Sequence, residues 1–370
     1  MSEKIDIVGH FGTRYSYATV GSRVARALRG ADMLGAIINL DESWLGDYDD
    51  LVRFEKSQLG EHVLLFTDVR KHVFDTWADK NGAKGVAVFS SPNTTLLNRE
   101  RAEVCSRAGL VLVPSTWCAA TVSRSMGEFQ LIPDGKIACV PLGVDESFFG
   151  LRYRDRSERP TEYLHFSTDF CWPSRKGTDA LIRAWATVRP FLEEKSRLTV
   201  HVPMAIYDAV HQVVADRDLV GDVKIIIAPD KGTPDADLVQ FFAQADVVVQ
   251  PSRCEGFGMM MLAAVVSGTP LVTTPGTGQA DFLCAMGGWF GIAHGTDMDE
   301  LAYEDGEAPV VNEKCIEDAL LAVSTDRVYN HLFLGDPALD GTLAPDGTRM
   351  WTWDWATEEW VSTLKEWVTG

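Results

Sequence analysis

The 370 residues are too many for one ordinary hydrophobic core and enough for two domains, which excludes a small stapled scaffold. With 46% hydrophobic and 24% charged residues, the composition is that of a soluble globular protein and excludes wholesale disorder. A formal net charge of −19 disfavours non-specific binding to nucleic acid or anionic lipid wherever basic residues do not cluster.

The N-terminus Met-Ser-Glu-Lys-Ile-Asp-Ile-Val is charged where a signal peptide is apolar, and it reads as a first strand. Short Val-, Ile- and Leu-rich runs then alternate with helix-length amphipathic stretches, the pattern of parallel strands buried on both faces. In the first half, strands are expected at 4–8, 33–39, 62–66, 85–89, 110–113 and 136–140, and helices at 15–28, 49–58, 94–107 and 119–127. After residues 141–149 a second series follows, with strands at 163–166, 198–202, 224–227, 247–250 and 271–273. Its helices are expected at 178–191, 205–215, 236–243, 259–267 and 313–324. The uncharged stretch 256–280 has the length of a membrane span, but Gly268, Pro270 and Pro275 split it into a short helix and a strand. Residues 341–347 read as an exposed loop. Residues 351–367, with Trp351, Trp355, Leu364 and Trp367, read as an amphipathic helix that packs on another surface. Seven scattered cysteines without metal-ligand spacing suit a reducing cytoplasm. The expectation is an α/β protein with two doubly wound domains, 1–145 and 146–345, facing each other across a ligand-binding cleft, and 346–370 packing back.

Residues 247–274 carry the most information. A buried strand ends at Gln250, a loop bears Glu255, and Gly256 and Gly258 permit close backbone approach where a helix begins near Met259. Free backbone N–H groups there can hold a diphosphate, while Glu255 can accept hydrogen bonds from sugar hydroxyls. A tight turn with a helix-capping Glu explains the same pattern. Upstream, a strand runs into a loop with Arg175, Lys176 and Gly177 ahead of a helix, and adjacent cations there would neutralise a diphosphate leaving group. Two solvated charges before an ordinary helix are the plain alternative. In the first half, the loop after the first strand carries His10, Gly12, Arg14 and Tyr15 and points toward the cleft by the switch-point rule.

The run Glu255-Gly256-Phe257-Gly258, with Leu262, Ala264, Gly268, Pro270 and Val272, resembles the donor-site motif of retaining GT-B glycosyltransferases, specifically glycosyltransferase family 4. Ala263 stands where that family has its second glutamate, which meets the nucleotide ribose. The resemblance covers about residues 5–30 and 105–285 and includes Lys176-Gly177, Gly12, the segments 111–117 and 137–145, and Asp281 in an acidic position. It implies a GT-B fold and transfer of a sugar from a nucleoside-diphosphate sugar, with UDP as the nucleotide, to an acceptor hydroxyl with retention. It also implies front-side attack, no cofactor and no metal. Catalytic roles would fall on Glu255, Lys176, Arg175 and His10. Donor and phosphate contacts would fall on Gly256, Phe257, Gly258, Met259, Met260 and Gly12, and acceptor contacts on Arg14 and Tyr15. The acceptor is open among saccharides, small molecules, lipids and modified DNA. Arg14, Arg70, Lys71, Arg99, Arg101 and Arg107 allow a DNA-modifying enzyme acting on hydroxymethylated bases, although the negative balance favours solvated helix charges. Ala263 allows a nucleotide-sugar-binding protein without turnover.

Overall fold

A computed structural model describes residues 3–11, 16–40, 61–67, 69–79, 83–149, 151, 161–167, 175–286, 289–292, 294–300, 307–325 and 350–370. The chain divides into two compact units: Met1–Gly143 with Trp351–Gly370, and Val144–Met350.

In the first unit the strands are β1 (Ile5–Gly9), β2 (Leu34–Asn39), β3 (His62–Phe66), β4 (Gly85–Phe89), β5 (Leu110–Val113) and β6 (Lys136–Cys139). All pair in parallel, in the order β2-β1-β3-β4-β5-β6. Strands β1, β3 and β5 are buried along their whole length, as parallel strands sandwiched between helices must be. The helices are α1 (Ser16–Gly30), α2 (Lys71–Asp79), α3 (Arg99–Arg107) and α4 (Thr116–Glu128). The helix expected over 94–107 starts only at Arg99. Asn98 is its N-cap, accepting from Arg101 N at 2.9 Å, while Thr94 donates to Leu96 O at 2.7 Å and keeps the preceding residues in a loop. Helix α2 was not expected. The helix expected at 49–58 lies outside the described residues.

The C-terminal helix Trp353–Thr369 belongs to this first unit. Its buried face is Trp353, Ala356, Trp360, Leu364 and Val368, which shares Leu364 with the expected set; Trp351 is buried just ahead of the helix, and Trp355 and Trp367 are half-buried. The Trp360 ring lies 5.8 Å from Phe66 and 5.4 Å from Phe89, and its Nε1 donates to Pro141 O at 2.9 Å.

The second unit repeats the architecture with β7 (Glu162–Phe166), β8 (Arg197–Val202), β9 (Val223–Ile227), β10 (Val247–Gln250), β11 (Leu271–Thr273) and β12 (Trp289–Gly291). Its parallel order is β12-β11-β10-β7-β8-β9. Counted within the unit this is the 3-2-1-4-5-6 winding of dinucleotide-binding folds, with the switch point between β7 and β10. Helices α5 (Thr178–Val188), α6 (Met204–Asp216), α7 (Asp235–Gln244), α8 (Met259–Val266), α9 (Ala280–Leu283) and α10 (Glu313–Val323) accompany the strands. The expected helix 178–191 stops at Val188 and tightens into a 3-10 turn, Arg189–Phe191, because Pro190 has no N–H to continue the ladder. An antiparallel hairpin, β13 (His294–Glu300) and β14 (Glu307–Val311), was not expected, nor was β12. Its core gathers Trp185, Leu181, Val200, Val210, Val247 and Leu320. Residues 256–280 do form a short helix and a strand, and among the described residues no helix is long and apolar enough to cross a membrane. The loop expected at 341–347 lies outside the described residues.

Candidate active site

In an open parallel sheet the strands on either side of the switch point send their following loops apart, leaving a crevice at their carboxyl ends. In the second unit those loops follow β7 and β10. The ladder between the two strands pairs only Val247 with Tyr163 and Val248 with Leu164, whereas each strand pairs with its outer neighbour to its last residue. Beyond Leu164 and Val248 side chains take over. Gln250 accepts from Phe166 N at 3.2 Å and donates to Phe166 O at 3.1 Å, and His165 Nδ1 lies 2.7 Å from Val249 O.

The loop after β7 presents Arg175 and Lys176, and the loop after β10 presents Ser252 and Glu255. All four are buried, with Glu255 5% exposed. Lys176 Nζ lies 2.5 Å from Glu255 Oε1, and an Arg175 guanidinium nitrogen lies 3.3 Å from Glu255 Oε2. Ser252 Oγ donates to Glu255 Oε1 at 2.7 Å. Arg175 also donates to the Cys254 carbonyl, and its own carbonyl accepts from Arg253 N at 2.8 Å. Burial pushes the Glu255 pKa up, but the charges of Lys176 and Arg175 and the hydrogen bonds from Lys176 and Ser252 outweigh it, leaving the carboxyl below its ordinary value. Glu255 is therefore a carboxylate at neutral pH, able to accept hydrogen bonds and unable to act as an acid.

Two glycines allow the loops to nest. Gly177, at φ +71°, has the Pro251 carbonyl oxygen 2.3 Å from where a Cβ would stand, and a Cβ on Gly278 would stand 2.0 Å from Gly256 O. Gly278 belongs to the segment after β11, which supports Glu255 from behind. Glu255 N donates to Thr277 Oγ1 at 2.9 Å, Gly278 N donates to Glu255 O at 2.8 Å, and Gln279 donates to Thr274 O. Helices α5 and α8 both begin at this crevice, each with a left-handed glycine as N-cap, Gly177 and Gly258, and neither cap offers a side-chain hydrogen bond. At both helix N-termini the cap residue itself contributes no side-chain oxygen, and α5 carries Asp179 in its first turn.

The expected site residues thus fall into groups. Glu255, Arg175 and Lys176 converge. Gly256, Phe257 and Gly258 are buried in the same loop, and Met259 and Met260 are half-buried at the start of α8. Ala263 is fully buried within α8, and Asp281 lies in α9. His10 is exposed directly after β1 in the first unit, while Gly12, Arg14 and Tyr15 lie outside the described residues. Sequence reasoning missed Ser252, His165, Gln250, Thr277 and Arg253, whose guanidinium donates to the Ala308 and Pro309 carbonyls of β14. For His165 and Gln250 a signal existed, since each is a polar side chain inside an otherwise apolar buried strand.

Two doubly wound units, the second with an anion-ready switch point, define the class as a protein of the GT-B fold. The comparisons agree with this. Residues 162–302 match the family model described as Glycosyl transferases group 1. Among curated proteins, the MMP alpha-(1->4)-mannosyltransferase of Mycolicibacterium hassiacum is 26% identical over 186 residues, which are 50% of this chain and 42% of that relative. The match therefore spans less than half of that relative's length. Among solved structures, a sucrose-phosphate synthase from Thermosynechococcus elongatus superposes with a TM-score of 0.69 at 11% identity, covering 99% of each chain. Anabaena HepE in complex with UDP and glucose does so with a TM-score of 0.65 at 13% identity, covering 98% of this chain and 99% of that one. At those identities the two structures establish the fold alone.

Proposed function

We propose that the chain is a retaining, metal-independent glycosyltransferase that moves a sugar from a nucleoside-diphosphate sugar to an acceptor hydroxyl. The observation that carries this reading is the buried cluster of Glu255, Lys176 and Arg175 at the switch point, inside the stretch that matches Glycosyl transferases group 1. In the step, the bond from the anomeric carbon to the diphosphate oxygen breaks and the acceptor oxygen bonds to that carbon on the same face. The acceptor proton passes to the departing phosphate. Lys176 and Arg175, with the N-termini of α5 and α8, offset the charge that builds on the leaving diphosphate. Glu255, held ionised, accepts hydrogen bonds from the sugar hydroxyls, and Gly256 and Gly258 let the phosphates approach the backbone. UDP is the proposed nucleotide, in keeping with the UDP and glucose held by HepE, and a reducing cytoplasm is the proposed setting.

The test is release of nucleoside diphosphate from a panel of nucleotide sugars. Glu255→Gln and Lys176→Ala should each lower kcat by about 10²–10³-fold while the protein stays folded by circular dichroism. Chelation by EDTA should leave the rate unchanged. Consumption of no donor, or full turnover by both variants, refutes the reading.

A further inference from the structure

We propose that His165 is a positioning residue that sets the spacing between the Lys176 and Glu255 loops. The inference rests on the glycosyl-transfer reading and deepens it. His165 is completely buried near the carboxyl end of β7, where the β7–β10 ladder has already stopped. Its two ring nitrogens reach in different directions: Nδ1 is 2.7 Å from Val249 O on β10, and Nε2 is 2.9 Å from Thr178 Oγ1 at the first residue of α5.

The chemistry of the partners assigns the protons. A backbone carbonyl can only accept, so Nδ1 carries the hydrogen, and in the neutral ring Nε2 then accepts from the Thr178 hydroxyl. One imidazole thereby ties together the end of β7, the end of β10 and the start of α5. Lys176 is two residues before Thr178, and Glu255 is six residues after Val249, so the tie reaches both loops close to their charged groups. A flexible side chain would leave each loop free to shift. The rigid ring fixes the separation between a carbonyl and a hydroxyl, and a 1 Å displacement of a reacting group is enough to cost about 10²-fold in rate.

Thr178→Val is the informative variant, because it removes the hydroxyl while nearly keeping the side chain's shape. It should lower kcat for nucleoside-diphosphate release about 10- to 100-fold with the donor KM changed less than about 3-fold, while Thr178→Ser recovers most of the loss. His165→Phe should resemble Thr178→Val in the same split. A second readout does not depend on turnover: amide hydrogen exchange of residues 175–181 and 251–258 should accelerate in Thr178→Val and return toward the wild-type pattern in Thr178→Ser. Should the wild type consume no donor at all, the glycosyl-transfer reading fails and the exchange pattern alone decides whether the tie orders the two loops. A folded Thr178→Val protein with wild-type kcat, or with unchanged exchange in both segments, overturns the proposal.

Discussion

Glu255 is pulled two ways, since burial disfavours its charge while Lys176 and Arg175 favour it, and the cations prevail. A carboxyl whose folded pKa lies below its ordinary value, here 4.5, stabilises the fold fully above that value and loses this contribution as pH falls through the folded one. Removing one member of such a buried cluster leaves uncompensated charge and costs about 3–5 kcal/mol. The difference in unfolding free energy between wild type and Glu255→Gln should therefore be large at pH 7 and shrink below about pH 4.5, as read by urea titration at several pH values. His201 titrates elsewhere in the same unit. Burial pushes its pKa down from 6.5 to about 4, with Nε2 placed 3.0 Å from Thr233 Oγ1. Above pH 6.5 both folded and unfolded forms are neutral, so nothing is lost. Between 6.5 and 4 only the unfolded chain takes up the proton, and stability should fall by about 3 kcal/mol in total. Urea titrations of His201→Gln should show a shallower slope over that pH range, and an unchanged slope would assign the acid sensitivity to other groups.

The elements that bear these residues are held by close backbone contact as much as by hydrogen bonds. Gly177 combines a left-handed backbone with a carbonyl where a Cβ would go, and Gly278 faces the Gly256 carbonyl. Gly278→Ala should destabilise the second unit by about 1–3 kcal/mol, and Gly177→Ala should cost more because backbone strain adds to overpacking. Thermal melts check the ranking, and equal melting points for Gly177→Ala and wild type would contradict the nesting of the loops. At this scale the sequence was legible where a run of apolar residues met a glycine or a cation. It was not legible where partners come from distant segments. The motif resemblance placed Glu255 and Lys176 at one site, but Glu255 also needs Thr277 from the segment after β11, and no local pattern reveals that partner. Helix α2 does carry a helical stripe, Val73, Phe74, Trp77 and Ala78, but over only nine residues, and β13 hides its period behind the acidic stretch Asp297, Asp299 and Glu300.

Over the whole molecule, the chain completes its first unit with its last residues. Trp360 fills a space bounded by Phe66 and Phe89, and Gly143 is a glycine because the Thr352 backbone carbonyl lies 2.4 Å from where its Cβ would stand. Trp360→Ala should cost about 3–5 kcal/mol, the range for deleting a large buried aromatic. The loss belongs to the first unit, which contains Trp360, Phe66 and Phe89. In calorimetry the transition reporting the first unit should move down while the other holds, and equal shifts in both would show that the units melt together.

The alternation of strands and helices, the two doubly wound units and the charged residues of the glycine-rich loops can all be read along the chain, because hydrophobic period and turn chemistry are local properties. The sequence by itself did not determine that β10 lies beside β7, that the ladder between them ends early, or that His165 and Gln250 bridge the gap. Those facts follow from a strand order that departs from chain order. Only the folded sheet brings residues about 80 positions apart into contact, and only that contact holds Glu255 as a buried anion between two cations.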